Sequence, residues 1–131
     1  MPEFKMPGEH TPMFQSLDAV TQGYILAAFF TLDERFGSRG FTDLSIEALI
    51  AATLACGLFV KQNDCRIEEA QGQPGYTLAS VGHDFWLTRN GHGAGFWSRN
   101  MGTLGEQLTD AAKSFGETDF LLADNGALYF T

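Results

Sequence analysis

Two of the three histidines, both tryptophans and four glycines fall within the stretch from Gly82 to Trp97, which reads Gly-His-Asp-Phe-Trp-Leu-Thr-Arg-Asn-Gly-His-Gly-Ala-Gly-Phe-Trp. In one reading these residues form a small active site. His83 and His92 would be acid/base groups or metal ligands, Asp84 the partner carboxylate, and Arg89 or Arg99 a clamp for an anion. In a second reading Trp86, Arg89, Asn90, His92, Trp97 and Arg99 form a recognition surface, because Trp and Arg dominate interface energetics and glycine lets a partner approach the backbone closely. In a third, the indoles and glycines pack together beneath neighbouring helices. The stretch matches no catalytic signature, so no catalytic residue is assigned.

Local structure decides which of these residues can meet. Phe85-Trp86-Leu87-Thr88 is rich in strand formers, Asn90-Gly91 is a short-range hairpin signal, and Ala94 to Trp97 reads as the return strand, which predicts a hairpin over about 83–98. A two-residue turn pairs Arg89 with His92, Leu87 with Ala94, Phe85 with Phe96 and His83 with Ser98. Phe85, Leu87, Ala94 and Phe96 then share a core face, and Trp86 and Trp97 stand over Gly93 and Gly95 on the other. The two histidines lie about six ladder steps apart, roughly 20 Å, too far to share one metal ion. The Gly-His-Gly-Ala-Gly segment lacks the Lys-Ser/Thr ending of a phosphate loop and follows a turn rather than a strand-to-helix junction.

Around this hairpin the chain reads as three helices and a second hairpin. Residues 1–12, punctuated by Pro2, Pro7 and Pro12, read as an extended lead-in to a single domain over 13–131. Leu17, Thr21, Tyr24, Ala28 and Leu32 recur at helical spacing, which predicts a helix over about 14–32 capped by Ser16, with Gly23 as its weak point or a mark of close packing. A second helix over about 45–62 carries a stripe of Ile46, Leu49, Ile50, Thr53, Leu54, Gly57 and Leu58, and is expected to be substantially buried against the first. Residues 63–80 are left unassigned, with Cys65 to Glu68 readable as a short edge strand. Thr103 and Glu106 make a capping box for a third helix over about 103–115, and Gly116 stops it. Asp124-Asn125-Gly126 turns a second hairpin over about 119–130. The class is α+β, an antiparallel sheet of two hairpins covered by helices.

Composition narrows the function. Sixteen acidic against eight basic residues give a formal charge of −8, and with no basic run to displace counterions this disfavours duplex nucleic acid and anionic membranes as direct partners. It leaves room for a partner with a basic surface. Cys56 and Cys65 fall in no metal-ligand or disulfide pattern, so no metal and no cofactor is expected. The first residues lack an apolar run behind a basic one, and no window reaches the length of a membrane span, which predicts a cytoplasmic protein.

The segment from Gly82 to Trp97 is similar to a family of small proteins encoded by bacteriophages and other mobile elements and generally described as of unknown function. Later elements of that pattern appear as Leu104-Gly105, Leu108-Thr109, Phe115-Gly116-Glu117 and Asp124-Asn125-Gly126, and an earlier one as Gly23-Tyr24-Ile25 with Ala27-Ala28. The likeness covers about residues 82–130. Asp64-Cys65 departs from it by falling later than expected.

Nothing catalytic is carried over from such a family. The resemblance implies a phage or plasmid context in a bacterial host. There, a small acidic accessory protein is expected to bind a host or phage protein, and to inhibit a defence system in the manner of an anti-CRISPR protein acting on a basic nucleic-acid-binding complex. The alternative is a small enzyme or an anion- or ligand-binding protein using the His83-Asp84 and Arg89-His92 region. A homodimer contact through an uncovered edge or the Trp face is also open.

Overall fold

A computed structural model describes residues 4–131. Six α-helices and one two-stranded hairpin follow in the order α1 Pro12–Gln15, α2 Ala19–Phe30, α3 Ile46–Gln62, α4 Asp64–Ala70, α5 Leu78–Arg89, α6 Thr103–Lys113, β1 Phe120–Leu122 and β2 Leu128–Phe130. The α+β class holds. The detailed arrangement of three helices and two hairpins does not.

Of the expected extended lead-in, residues 1–3 lie outside the described residues. Pro7 to His10 form turns, Met6 is buried, and the Pro7 carbonyl accepts from Phe41 N–H at 2.8 Å. The expected helix over 14–32 is split. Asp18, not Ser16, caps α2, its Oδ2 accepting from Thr21 N–H at 3.1 Å. The Gln22 side-chain amide closes the break by lying 3.0–3.2 Å from the carbonyls of Phe14, Gln15 and Leu17.

Helix α2 buries residues on all sides, Val20, Tyr24, Ile25, Ala28 and Phe29 among them, which is the behaviour of an all-round apolar helix at the centre of a core. Its principal neighbour is α5. The two approach at glycines: a Cβ on Gly23 would run into the backbone of Ala79, and one on Gly82 into the Val20 carbonyl. Gly23 therefore marks close packing.

The expected hairpin over 83–98 is replaced by the second half of α5, a loop, and one 3-10 turn over Phe96–Ser98. Thr77 and Ser80 cap α5 reciprocally. At its other end Gly91 has φ +68°, His92 N–H donates to Leu87 O at 3.0 Å and Gly91 N–H to Thr88 O at 3.2 Å. This is a Schellman cap, in which a left-handed glycine ends a helix. Asn90-Gly91 supplies the positive φ that a hairpin turn would also need, and the helix uses it. Every residue from Val81 to Thr88 except His83 is buried, so the segment has no polar face from which to read a period of 3.6.

Helix α3 begins at its expected place, with Ser45 Oγ accepting from Ala48 N–H at 3.0 Å, but it is not substantially buried. Its inward line is Ala48, Ala52, Cys56 and Phe59. Most of the expected stripe points outward, since Ile46, Ile50, Leu54 and Leu58 are exposed. Small side chains let α3 lie close on α2, and the bulky ones face away. Buried Asn63 marks an 85° bend into α4, so the span read as a short edge strand is helical.

Helix α6 starts at Thr103, but its N-cap is Gly102 and the Thr103–Glu106 capping box does not form. Gly116, at φ +77°, follows its end as expected. The closing hairpin pairs Phe120 with Phe130 and Leu122 with Leu128, with Gly126 in its turn at φ +86°. Ser45 N–H donates to Leu128 O at 2.8 Å, tying the start of α3 to β2.

Candidate functional site

Because residues 83–90 are helical, their side chains radiate around α5 instead of alternating between two faces. Asp84 points inward and is fully buried. Arg99 grips both its oxygens, Nε donating to Oδ2 at 2.9 Å and Nη2 to Oδ1 at 3.0 Å, and Tyr76 Oη donates to Oδ2 at 2.6 Å. The Gln73 amide donates to the Arg99 carbonyl at 3.1 Å. Burial, and then the Asp84 charge, push the Tyr76 phenol well above its ordinary range. The hydrogen bond to Asp84 raises Arg99 further still. This is a closed ion pair that fastens the loop after α5, and the segment before it, onto the helix. Arg99 is not free to clamp an anion.

Arg89 is likewise turned inward. Its Nε donates to Gly116 O at 2.8 Å, Nη2 to Phe115 O at 3.1 Å and Nη1 to Tyr24 Oη at 3.0 Å. The cation lies 5.7 and 5.8 Å from the rings of Phe85 and Phe115. Both carbonyls lie just past the end of α6, so Arg89 ties the chain leaving that helix to the end of α5. Burial pushes the Tyr24 phenol up to about 12 despite the opposing charge of Arg89.

The two tryptophans part company. Trp86 is 2% exposed and Trp97 53%. Trp86 Nε1 donates to Thr31 Oγ1 at 2.9 Å, and its rings meet Tyr24 edge-on at 5.2 Å and Phe130 at 5.6 Å. Trp86 is a core residue, while Trp97 stands in the open. His83 lies 6.4 Å from the Phe30 ring with its Nδ1 buried and unbonded, and burial lowers its pKa.

Three of the expected binding residues do converge. Trp86, Asn90 and His92 line a cleft of about 440 Å³ together with Thr31, Asp33, Glu117, Thr118, Asp119 and Phe120. Asn90 holds the cleft wall in place: its Nδ2 donates to Trp86 O at 3.1 Å and its Oδ1 accepts from Thr118 N–H at 2.8 Å. Asp33 and Asp119 each accept a nearby backbone N–H, from Arg35 at 2.9 Å and Phe120 at 2.7 Å. Neither lining aspartate is joined to a basic side chain, since the one ion pair among the described residues is Asp84–Arg99. Arg89, Arg99, Trp97, His83 and Asp84 do not line this cleft. Of the four residues of the alternative catalytic reading, only His92 does.

Nothing in the sequence singles out Asp33, Glu117 or Asp119. They sit at the ends of separate elements, and only the packing of α2, α5 and β1 brings them beside His92. The cleft resembles neither a nucleophile site nor a metal centre, and among the described residues no three His, Cys, Asp or Glu side chains are grouped to hold a metal ion. Among those residues no single helix is long and apolar enough to cross a membrane. No family model, curated protein or solved structure matches the chain.

Proposed function

We propose that this chain is a phage- or plasmid-encoded accessory protein that acts by binding a macromolecular partner with a basic surface, and that the cleft beside His92 receives a lysine or arginine of that partner. One observation carries the reading. Arg89, and Arg99 just beyond the distinctive stretch, are engaged within the fold, while the open cleft presents Asp33, Glu117 and Asp119 beside Trp86 and Phe120 with no lysine or arginine in its lining.

A cation entering there gains from three carboxylates that no basic side chain of the lining neutralises. The formal charge of −8 steers a basic partner toward the molecule and repels nucleic acid. The resemblance of residues 82–130 to mobile-element proteins supports a host or phage protein as the partner, and a nucleic-acid-binding defence complex as its class.

Asp33→Asn, Glu117→Gln and Asp119→Asn together remove the charge while keeping the side-chain oxygens that accept from the Arg35 and Phe120 backbone N–H groups. Immobilised wild-type chain should retain a specific partner from host lysate at low and moderate salt, and the triple variant should lose it at moderate salt. Recovery of no specific partner at either salt, or equal retention by the variant, would overturn the reading. Expression in a host with an active CRISPR system should raise phage plating. Unchanged plating would remove the anti-defence part alone.

A further inference from the structure

We propose that the outward face of α3 is a self-association surface on which a second copy of this chain packs antiparallel, about a two-fold axis level with residue 52. Ile46, Ile50, Leu54 and Leu58 are 59%, 53%, 62% and 51% exposed. Single exposed aliphatics are ordinary on a protein surface. Here four recur every fourth residue over about 18 Å of helix, forming one ridge. Contiguous apolar surface of this kind marks an interaction site. Ala51 and Thr53 beside the ridge are small and exposed, and Gly57 has open space where a Cβ would stand, so another backbone can come close.

Charge selects the occupant. Glu47 in the first turn and Lys61 in the last are the only charged residues of α3, and both are exposed. The face between them is neutral on a chain of net charge −8. A basic partner finds no carboxylate along it, and an anionic lipid surface is repelled by the rest of the molecule. A second copy carries the same net charge and is repelled likewise through the rest of the molecule, but it presents its own Lys61 toward Glu47 and its own Glu47 toward Lys61 on either side of the neutral strip.

An antiparallel approach brings the Glu47 end of one copy toward the Lys61 end of the other and opposes the helix dipoles, whereas a parallel one sets like against like. The ridge is also its own complement under the two-fold. Ile46 exchanges with Leu58 and Ile50 with Leu54, as an isologous contact requires. The four side chains offer on the order of 400 Å² per copy, about 800 Å² in all, short of the roughly 1,000 Å² that a specific interface needs, so the exposed Glu47, Ala51, Thr53, Gly57 and Lys61 around the ridge are buried with them and the dimer is weak and reversible. This surface is separate from the acidic cleft and does not depend on the partner proposed for it.

Sedimentation velocity over about 1–500 μM tests the proposal. The wild type should pass from monomer to dimer across that range. Leu54→Asp, which alters only an exposed side chain, should stay monomeric throughout while keeping the wild-type circular dichroism. Lys61→Glu should weaken the dimer at least tenfold, and Glu47→Lys/Lys61→Glu should restore it. The triple cleft variant should dimerise like wild type, which keeps this result apart from that of the partner assay. A wild type monomeric at all concentrations, a dimer indifferent to Leu54→Asp, or binding of the face to uncharged phosphatidylcholine vesicles in place of self-association would overturn the proposal.

Discussion

Gly82 of α5 rests against the carbonyl of Val20 in α2, with no room between them for a methyl group. Gly23 makes the reciprocal approach to Ala79, so the central helix pair is fixed at two points by missing side chains. Gly82→Ala should destabilise the fold by about 3 kcal/mol or more, at the upper end for overpacking, because backbone rather than a flexible side chain must move. Gly57→Ala provides the contrast. Its Cβ meets nothing within 4 Å, so it should stabilise by up to about 1 kcal/mol through helix propensity. Urea titrations of both variants at low micromolar concentration check the pair of signs.

Asp84 is the buried member of an ion pair whose other member is partly open to solvent, with side-chain exposures of 1% and 40%. Breaking such a pair leaves a buried carboxylate held by Tyr76 alone. Arg99→Met should cost about 3–5 kcal/mol. Tyr76→Phe removes one hydrogen bond to a charged group and should cost about 1.5–3 kcal/mol. If Arg99→Met proved as mild as a surface substitution, Asp84 would have found water or another partner, and the loop after α5 would not depend on the pair.

These contacts explain how much could be read in advance. Ser45 before α3, Gly116 after α6 and Asp124-Asn125-Gly126 in the hairpin carry their structural meaning locally, and all three elements lie where they were expected. Asn90-Gly91 does not, because a left-handed glycine serves a hairpin and a helix end equally. What decides between them is burial of Val81 to Thr88 against α2, a tertiary fact. The α3 stripe misleads for a related reason. Periodicity identifies a face but does not say whether the bulky side or the small Ala48–Ala52–Cys56 side turns inward. At the cleft, Asn90 and His92 were legible as polar residues in an unusual setting. Asp33 and Asp119 carry no local signal, and only the closed chain brings them to the cleft.

Trp86 and Trp97 should separate in a single fluorescence experiment. Trp97→Phe leaves only the buried indole, whose emission should be blue-shifted and resistant to acrylamide, while Trp86→Phe should leave a red-shifted, readily quenched signal. Truncation to Ala should cost about 3–5 kcal/mol at Trp86 and within about 0.5 kcal/mol at Trp97. Equal quenching of both single-Trp proteins would contradict the core placement of Trp86.

The two thiols differ in the same way. Cys56 is buried, and burial pushes its thiol up to about 12. Cys65 is exposed, with the neighbouring Asp64 charge raising its thiol above the ordinary range. At pH 8 an aromatic disulfide reagent should modify one thiol per native chain, more slowly than a free cysteine, because the thiolate is the nucleophile. The second should react only on adding denaturant. Two fast thiols in the native protein would mean that α3 opens readily from α2.

His83 gives stability a dependence on pH whose sign can be worked out. Burial is the largest influence on its imidazole and lowers its pKa below the ordinary value; Asp84 and Arg99 act in opposite directions. In the unfolded chain the group takes up a proton near pH 6.5, and in the fold it does so only at lower pH. Between those values the unfolded state binds more protons, so stability rises with pH there. The contribution is fully present above the unfolded value, begins to fall there, and is lost as pH falls through the folded value. Urea midpoints measured from pH 8 to pH 5 should therefore begin to decline near pH 6.5. His83→Gln keeps a polar side chain without a titrating proton and should flatten that limb. An unchanged slope in the variant would mean that His83 does not cause the limb.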